Sequence, residues 1–426
     1  MDTLSIPKLS AIHGTLALPG SKSLSNRALL LAALAQGTTT LHNVLRSDDT
    51  QRMLEALQAL GVALTEDGTT ITVTGLGGAF KCPGEELTLF LGNAGTVMRP
   101  LTAALALSQG SFVLTGEERM CQRPIGPLVE GLKRLGLHLE YLNNDGYPPL
   151  RIVGGQVSAR HIAIPGDTSS QFITALLMAA PLAGGLTIEV EGDLISKPYV
   201  EMTLRLMARF GVQVERVGWR SFAVPAATYV SPGNFLVEGD ASAATYFLAA
   251  AAIAGEITVE GLGAHSVQGD AAFVDVLAQM GAQVEVKEHS ITVHQAPQGL
   301  QGIDLDMNDM PDAAMTLVPL ALFTKGPVVV RNVGSWRVKE TDRLAALSTE
   351  MAKLGVKVDC GADYIAVDGS VRNAAYPTFA TYNDHRMAMA LSLCAFDRPV
   401  VIADPKCTHK TYPQFFTDFL SRCTQA

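Results

Sequence analysis

Eight basic residues stand at the starts of predicted helices, where a cation is unfavourable for the helix itself. The positive end of the helix dipole repels lysine and arginine, whereas its free backbone amides attract anions. Poor local electrostatics that recur at equivalent places indicate a function that outweighs the cost. The eight are Lys22, Arg27, Arg99, Arg123, Lys339, Arg343, Arg386 and Lys410. They predict a site for small substrates that carry several negative charges.

The overall charge gives these cations no general partner. The 426 residues include 32 basic and 41 acidic side chains, which leaves a formal net charge of −9. This balance argues against nucleic acid or an anionic membrane surface as a partner. The N-terminus has no basic start followed by an apolar run, and no apolar stretch is long enough to span a bilayer. We therefore expect a cytoplasmic protein.

Two repeating patterns predict the elements that position these residues. The first is an amphipathic helix, then a glycine, then alternating apolar residues, and it occurs five times. Its glycines are separated by 75, 75, 70 and 74 residues, and each suits a left-handed position after a helix. They are Gly61, Gly136, Gly211, Gly281 and Gly355.

The second pattern is a strongly apolar helix that leads into a β-branched strand, and it occurs six times. These helices are predicted at Ala28–Gln36, Leu101–Gln109, Phe172–Ala183, Ala244–Ala254, Ala314–Thr324 and Met387–Ala395. Six units divide the 426 residues into steps of about 71, which is longer than the roughly 20–45 residues of most solenoid repeats. An α/β protein of two lobes, each with three units, fits better than a solenoid. The last unit lacks a strand, which the N-terminal segment would supply by circular closure.

This closure makes one lobe discontinuous in sequence. Residues 1–20 with 241–426 form one predicted lobe, and residues 21–240 form the other. Other polar residues near helix starts have simpler interpretations: Ser47, Asp240 and Asp270 are predicted to be helix caps. Cys121 is interpreted as an inert thiol, because a lone cysteine without a partner base is seldom a nucleophile.

Ten segments, in order along the whole chain, resemble the 5-enolpyruvylshikimate-3-phosphate (EPSP) synthase family. They include LPGSKSLSNRALLLAAL from Leu18, LGNAGTVMRPLTAAL from Leu91 and ERMCQRPIGPL from Glu118. Further matches are SSQFITALLMAAPL from Ser169, GDLISKPYV from Gly192, VEGDASAATYFLAAAAI from Val237, MPDAAMT from Met310, WRVKETDRL from Trp336, YNDHRMAMALS from Tyr382 and DPKCTHKTYP from Asp404. The resemblance implies a two-lobed, inside-out α/β barrel of six βαβαββ units, with the active site in the cleft between the lobes.

The resemblance also implies the reaction. The enolpyruvyl group of phosphoenolpyruvate moves to the 5-hydroxyl of shikimate 3-phosphate, and phosphate is released through a tetrahedral intermediate. The pathway is chorismate and aromatic amino-acid biosynthesis, no metal or other cofactor is expected, and glyphosate is expected to compete with phosphoenolpyruvate. We also expect a monomer.

Site residues follow from the resemblance at matching positions. The catalytic residues are Asp312 as base, Glu340 as proton carrier and Lys22. Shikimate 3-phosphate is expected to contact Lys22, Ser23, Arg27, Ser169, Ser170, Gln171, Ser196, Tyr199, Asp312, Ser335 and Lys339. Phosphoenolpyruvate is expected to contact Lys22, Gly95, Arg123, Gln171, Arg343, His385, Arg386 and Lys410. Ser335 departs from the family pattern, which has asparagine before the Trp-Arg pair.

Two alternatives remain at this stage. The first is the related enzyme that transfers enolpyruvyl to UDP-N-acetylglucosamine. That enzyme carries a catalytic cysteine five residues before an arginine, where this chain has Glu118 before Arg123. The second is a non-catalytic binder of phosphorylated ligands on the same scaffold, against which the intact Lys22, Asp312, Glu340 and Lys410 argue.

Overall fold

The computed structural model describes residues 2–426, which divide into two compact units. The unit that holds both chain ends, here called the terminal unit, comprises Glu238–Ala426 and the chain up to Pro19. The other, the central unit, is Gly20–Val237. The sequence predicts lobes of 1–20 with 241–426 and of 21–240. No helix within residues 2–426 is long and apolar enough to cross a membrane.

Helices and strands alternate along the described chain. The α-helices are α1 Lys22–Leu34, α2 Asp48–Ala59, α3 Gly95–Ala106, α4 Gly126–Arg134, α5 Ser170–Ala179, α6 Lys197–Arg209, α7 Ala241–Ile253, α8 Phe273–Gln279, α9 Leu317–Leu320, α10 Arg343–Ala352, α11 His385–Leu391 and α12 Phe415–Arg422. The strands are β1 Thr3–Ile6, β2 Leu9–Ala17, β3 Thr38–His42, β4 Ala63–Asp67, β5 Thr70–Thr74, β6 Lys81–Phe90, β7 Gln109–Thr115, β8 His138–Tyr141, β9 Leu150–Val153, β10 His161–Pro165, β11 Leu186–Glu191, β12 Glu215–Val217, β13 Ser221–Val224, β14 Asn234–Leu236, β15 Gly255–Glu260, β16 Gln283–Val286, β17 Ser290–His294, β18 Leu300–Asp306, β19 Thr324–Arg331, β20 Lys357–Cys360, β21 Ile365–Asp368, β22 Thr378–Phe379, β23 Val400–Ala403 and β24 Cys423–Gln425.

The described strands form six small sheets with a common connectivity. The central unit holds the orders β14-β3-β5-β4, β6-β7-β9-β8 and β10-β11-β13-β12. The terminal unit holds β16-β17-β15-β2-β24, β18-β19-β21-β20 and β1-β23-β22. In five of them a parallel pair is extended by an antiparallel hairpin, as in β6 with β7 and then β9 with β8. The predicted repeat is confirmed.

Strand exchange marks the two places where the chain passes from one unit to the other. An apolar helix elsewhere joins two strands that pair in parallel, as α3 joins β6 and β7. The strands on either side of α1 and α7 are exchanged instead: β2 pairs with β15, and β14 pairs with β3. The two ends of the chain also meet, because β1 pairs antiparallel with β23. The N-terminal segment thus adds a strand to the last sheet, as the predicted closure requires. The expectation that the last unit lacks its final strand is wrong, because β24 follows α12 and pairs antiparallel with β2.

The two predicted classes of helix differ in burial as expected. Every residue of α1 except Ser23 is buried, and all of α11 is buried. By contrast, α10 buries only one face, and that face includes the charged residues Arg343 and Glu350. The apolar helices therefore provide the core of each unit. The buried charged groups on α10 require polar or charged partners, which are described below.

The five repeat glycines have the predicted backbone conformation. Their φ angles are +84° at Gly61, +91° at Gly136, +84° at Gly211, +105° at Gly281 and +71° at Gly355. Residues with a β-carbon rarely adopt this left-handed region, so glycine ends each amphipathic helix and starts the following strand. The repeat therefore keeps a nearly constant turn while its other residues vary.

Candidate active site

A buried arginine organises the charged groups of the terminal unit. Arg343, the first residue of α10, has only 1% of its side chain exposed. Its Nε donates to Asp384 Oδ2 at 2.8 Å, its Nη1 to Asp312 Oδ1 at 2.9 Å, and its Nη2 to Glu340 Oε2 at 3.1 Å. A guanidinium has its donors in a rigid fork and can serve three carboxylates at once, which a lysine ammonium cannot do with the same geometry.

Asp312 is shared with a second arginine. Arg386 Nη2 donates to Asp312 Oδ2 at 2.9 Å, and the other Asp312 oxygen receives Arg343. The Asp312 side chain keeps 18% of its surface exposed, whereas Asp384 is fully buried. We call Asp312, Glu340, Arg343, Asp384 and Arg386 the carboxylate–arginine cluster. Asp312 is the most exposed of the three carboxylates in this cluster.

The elements around Asp312 explain why it lies at this point. Asp312 directly precedes a short 3₁₀ turn, Ala313–Thr316, that leads into α9. The fully buried Trp336 donates its Nε1 hydrogen to Pro311 O at 2.6 Å, which fastens the segment just before Asp312. Asp384 caps α11 by accepting the Arg386 backbone N–H at 2.9 Å. The arginine side chains are thus anchored through the starts of α10 and α11.

Two lysines complete this charged region. Lys339 Nζ lies 3.9 Å from Asp312 Oδ1, and Lys410 Nζ lies 3.9 Å from Glu340 Oε1. Both distances are too long for a hydrogen bond but short enough for a strong Coulomb interaction. The region contains four cations and three carboxylates, so it can accept further negative charge. All of its predicted members (Asp312, Lys339, Glu340, Arg343, Arg386 and Lys410) are brought together.

The cations determine the protonation state of Asp312. Burial alone would raise the pKa of this carboxyl, but the positive charges of Arg386, Lys339 and Arg343 outweigh burial and hold its pKa well below its ordinary value. Asp312 is therefore ionised at neutral pH. Arg386 has a further partner, because its Nη1 lies 3.4 Å from the hydroxyl of the buried Tyr246.

In sequence, His385 lies between Asp384 and Arg386, which are both members of the carboxylate–arginine cluster. Its side chain is 1% exposed, and its Nδ1 is 3.5 Å from Asp384 Oδ1. Ser335, in the 3₁₀ turn Gly334–Val338 that carries Trp336, is half-buried. Both are close in sequence to cluster residues, and their contact with a substrate stays a prediction.

One predicted cap is wrong. Ser47 and Asp240 do cap α2 and α7, since each accepts a backbone N–H of its helix. Asp270 instead lies inside a 3₁₀ turn, Gly269–Ala272, and accepts a short hydrogen bond from the Ser242 hydroxyl on α7. A partner 28 residues away satisfies this carboxylate better than a local amide, because the side chain is only 4% exposed and points into the unit.

Asp270 makes the stability of the protein depend on pH. Burial first, and then the negative charge of Asp312, raise its pKa to about 7, whereas an unfolded aspartate has a pKa near 3.8. Between these values the folded state binds more protons than the unfolded state, so stability falls as pH rises from about 4 to 7. The cited shift corresponds to a loss of about 4 kcal/mol between pH 4 and pH 8 in the wild type. We expect Asp270→Asn to abolish this loss and to be more stable than the wild type at pH 8. Urea unfolding at the two pH values measures it, and parallel pH profiles for the two proteins would contradict the assignment.

The central unit gathers a second basic group around α1. Lys22, the first residue of α1, places its Nζ 3.3 Å from Asp49 Oδ2, and both side chains are at most 10% exposed. Arg27, one turn further, donates Nε to Thr203 Oγ1 at 2.8 Å and Nη1 to Ser23 O at 3.1 Å. Burial lowers the pKa of Arg27 to about 10, so it remains a cation at neutral pH. α1 therefore presents fixed positive charge.

Gly95 lies against two more guanidinium groups. A β-carbon built on Gly95 would be 2.3 Å from Arg99 Nη1 and 2.9 Å from Arg123 Nη2. Arg123 is held by Asn93, whose backbone and side-chain oxygens both accept from Nη1 at 2.9 Å. Arg99 donates Nη2 to Pro124 O at 3.1 Å. Glycine at the start of α3 therefore leaves the space that these cations occupy.

The remaining predicted residues of the central unit lie at the starts of α5 and α6. Ser169 caps α5 by accepting the Gln171 N–H at 3.2 Å, and Ser170 opens that helix. Ser196 precedes α6 with the left-handed φ of 53°, and Tyr199 stands in its first turn. Helix α6 packs on both α1 and α5. These hydroxyl and amide groups thus belong to α6, which packs on α1, and to α5, which packs on α6.

Several residues of these groups were not identified from the sequence. Asp384 and Tyr246 in the terminal unit, and Asp49, Asn93 and Thr203 in the central unit, hold the predicted cations in place. Asp384 stands two residues before the predicted cation Arg386, so an acidic residue at a basic helix start was an available signal. Asp49 lies 27 residues from Lys22 in sequence and gave no such signal. Asn93 and Thr203 offered no comparable signal.

Cys121 does not have the environment of a nucleophile. Burial raises the pKa of its thiol, which keeps the sulfur protonated at neutral pH. The position five residues before Arg123 is the exposed Glu118. The inert interpretation of Cys121 agrees with this environment.

Comparison with known proteins decides the family. The EPSP synthase (3-phosphoshikimate 1-carboxyvinyltransferase) model matches residues 6–419. The chain belongs to the EPSP synthase family. A 3-phosphoshikimate 1-carboxyvinyltransferase from Aliivibrio salmonicida is 55% identical over 424 residues, which cover 98% of each chain. One from Vibrio cholerae serotype O1 is 53% identical over 425 residues, covering 98% of this chain and 99% of the relative.

Solved structures of the EPSP synthase family have the same fold. The EPSP synthase from Acinetobacter baumannii superposes with a TM-score of 0.82 at 25% identity, covering all of this chain and 99% of the other. This likeness confirms the predicted α/β fold class.

Proposed function

We propose that this chain transfers the enolpyruvyl group of phosphoenolpyruvate to the 5-hydroxyl of shikimate 3-phosphate and releases phosphate. The product feeds chorismate and aromatic amino-acid biosynthesis. The observation that carries the proposal is the ionised, partly exposed Asp312 between Arg343 and Arg386, in a chain that is 55% identical to a 3-phosphoshikimate 1-carboxyvinyltransferase over nearly its whole length.

The reaction proceeds by addition and then elimination. In the addition, the 5-hydroxyl oxygen bonds to carbon 2 of phosphoenolpyruvate, its proton passes to Asp312, and carbon 3 gains a proton. In the elimination, carbon 3 loses a proton, the bond from carbon 2 to the phosphate oxygen breaks, and phosphate leaves. A base at the hydroxyl and an acid at carbon 3 are therefore both required.

Glu340 and Lys22 are the proposed proton carriers at carbon 3. Glu340 is 7% exposed and lies between Arg343 and Lys410, whose positive charges balance its negative charge when the carboxyl is ionised. Lys22 supplies a compact positive charge, and its Nζ lies 3.3 Å from Asp49 Oδ2. Fixed cations around carbon 2 stabilise the negative charge of the carboxylate and the departing phosphate.

Both basic groups contribute to the proposed contacts with each substrate. Shikimate 3-phosphate is proposed to contact Lys22, Ser23, Arg27, Ser169, Ser170, Gln171, Ser196, Tyr199, Asp312, Ser335 and Lys339. Phosphoenolpyruvate is proposed to contact Lys22, Gly95, Arg123, Gln171, Arg343, His385, Arg386 and Lys410. Each set includes residues of both the central and the terminal unit.

Substrate charge would activate Asp312. A carboxyl whose pKa is held low by arginines is a weak base. Anionic substrate groups that pair with Arg386 and Lys339 reduce the field of those cations at Asp312, and the pKa of Asp312 rises toward its ordinary value. The base would thus strengthen only when the substrates are bound.

The related transfer to UDP-N-acetylglucosamine is not favoured. That reaction is associated with a reactive cysteine, and here the corresponding position is Glu118, while the thiol of Cys121 is kept protonated by burial. The discriminating experiment is phosphate release from phosphoenolpyruvate with each acceptor in turn. We expect release with shikimate 3-phosphate and none above background with UDP-N-acetylglucosamine; the reverse preference would refute the proposal, and release with neither would favour a non-catalytic binder.

Glyphosate is proposed to compete with phosphoenolpyruvate, and Gly95→Ala tests how closely it fits. The added β-carbon would have to displace the Arg99 and Arg123 guanidinium groups, which lie 2.3 and 2.9 Å from its position. Overpacking costs about 1–3 kcal/mol, which corresponds to weakening of roughly 5- to 150-fold. We expect the inhibition constant for glyphosate to rise by about that factor.

The matched control for this variant is Gly84→Ala. A β-carbon on Gly84, in β6, would meet no atom within 4 Å. We expect its inhibition by glyphosate to match the wild type. Unchanged inhibition in Gly95→Ala would refute the packing argument. We also propose that the protein is a monomer and that it is cytoplasmic.

A further inference from the structure

The segment that leads into α11 has a backbone that needs support. Tyr382 and Asn383, directly before Asp384, have φ angles of 54° and 53°. Residues with a β-carbon rarely adopt this left-handed region, and two in succession persist only when their surroundings hold them. The segment ends at Asp384 and Arg386, which are members of the carboxylate–arginine cluster, so its conformation decides where those groups lie.

Glu350 is the group that holds this segment. Its carboxylate is on the buried face of α10, with only 1% of the side chain exposed. Oε2 accepts the Ala380 backbone N–H at 2.9 Å, and Oε1 accepts the Tyr382 hydroxyl at 2.8 Å. Lys353 Nζ pairs with Oε2 at 2.6 Å and also donates to Thr378 O at 2.9 Å. A buried carboxylate with both oxygens bonded is a firm anchor.

The same helix holds the segment at a second point. Arg343 stands seven residues before Glu350, which is about two helical turns. It bonds Asp384, and Asp384 in turn accepts the backbone N–H of Arg386. Two residues of α10 therefore hold the left-handed segment. Glu350 bonds Ala380 and Tyr382, and Arg343 bonds Asp384. Arg386 follows directly and reaches Asp312.

We propose that Glu350 and Tyr382 are positioning residues through which α10 sets the place of the Arg386 guanidinium. Neither residue is assigned a contact with substrate. The inference rests on the proposed function, in which Arg386 binds phosphoenolpyruvate. Loss of the Tyr382–Glu350 hydrogen bond frees the left-handed residues to relax, and Arg386 then spends less time where the substrate needs it. Of the proposed shikimate 3-phosphate contacts, Asp312 bonds Arg386, but Asp312 is also held by Arg343, so these contacts change little.

The experiment is steady-state kinetics of Tyr382→Phe and Glu350→Gln, with each substrate varied in turn. A lost hydrogen bond of ordinary strength changes an equilibrium by about two- to thirteen-fold. We expect KM for phosphoenolpyruvate to rise by about five-fold or more in both variants, and KM for shikimate 3-phosphate to change by less than about two-fold. A merely structural role would lower Tm and leave both KM values unchanged.

The matched control is Tyr376→Phe, which removes a tyrosine hydroxyl six residues before Tyr382, on the other side of β22. Tyr376 is 74% exposed, and we expect both KM values to match the wild type. Tyr382→Phe decides the matter even if Glu350→Gln fails to fold. An unchanged KM for phosphoenolpyruvate in Tyr382→Phe, in an assay where the wild type is active, overturns this inference alone. A wild type inactive with both substrates overturns the proposed function, and this inference with it.

Discussion

Asp312→Asn is expected to lower kcat by at least about 100-fold while shikimate 3-phosphate still binds, because general base catalysis contributes that much or more. The amide keeps the shape of the carboxylate and removes its capacity to take the 5-hydroxyl proton. The fold should survive, since Arg343 retains Asp384 and Glu340 and Arg386 retains Tyr246. Steady-state turnover with both substrates saturating measures the effect on kcat.

The control is Asp304→Asn, at an exposed carboxylate that pairs with Arg331 at 2.6 Å. Its kcat should equal that of the wild type, which separates loss of a base from loss of an ion pair. If Asp312→Asn turned over within about three-fold of the wild type, Asp312 would not be the base. The proton would then have to pass to another group.

Arg343→Met is expected to produce the largest loss of stability. The side chain is 1% exposed and bonds three carboxylates, of which Asp384 has no exposed surface. Removing one partner of a buried ion pair costs about 3–5 kcal/mol, because the remaining charges stay buried without compensation. We expect the free energy of unfolding of the terminal unit to fall by at least that much, and activity to be lost.

Fluorescence can report on the terminal unit alone. The chain has two tryptophans, and Trp336 lies in the terminal unit beside Asp312. In a Trp219→Phe background, urea unfolding followed by Trp336 compares Arg343→Met with Arg331→Met. Arg331 makes an equally short two-point pair with Asp304, but both side chains are 52% exposed. Its removal should cost less than about 1 kcal/mol. Equal losses in the two variants would show that burial of Arg343 is not the source of its effect.

The periodic features of the chain could be predicted from its sequence. Helix–glycine–strand units follow from local rules, because a left-handed residue such as Gly136 ends a helix and apolar spacing decides which face is buried. The same rules located the helix starts, and with them Lys22, Arg343 and Arg386. The circular closure followed from the expectation that the sixth unit is one strand short.

Long-range partners could not be predicted in the same way. Arg343 and Asp384 are 41 residues apart, and Arg386 and Tyr246 are 140 residues apart. Local patterns place each side chain on its own element and say nothing of which repeat faces which. Asp270 illustrates the limit: it looked like a cap from its neighbours, yet the fold brings the Ser242 hydroxyl from another helix.

The most direct test of the account follows the carbon skeleton during one reaction. The protein would be mixed with shikimate 3-phosphate and phosphoenolpyruvate labelled with ¹³C at carbon 2, and the products observed by ¹³C and ³¹P NMR. We expect one phosphate released for each acceptor consumed, with the label in an enol ether on the 5-oxygen. Phosphate release that leaves shikimate 3-phosphate unlabelled would mean hydrolysis rather than transfer, and would contradict the account.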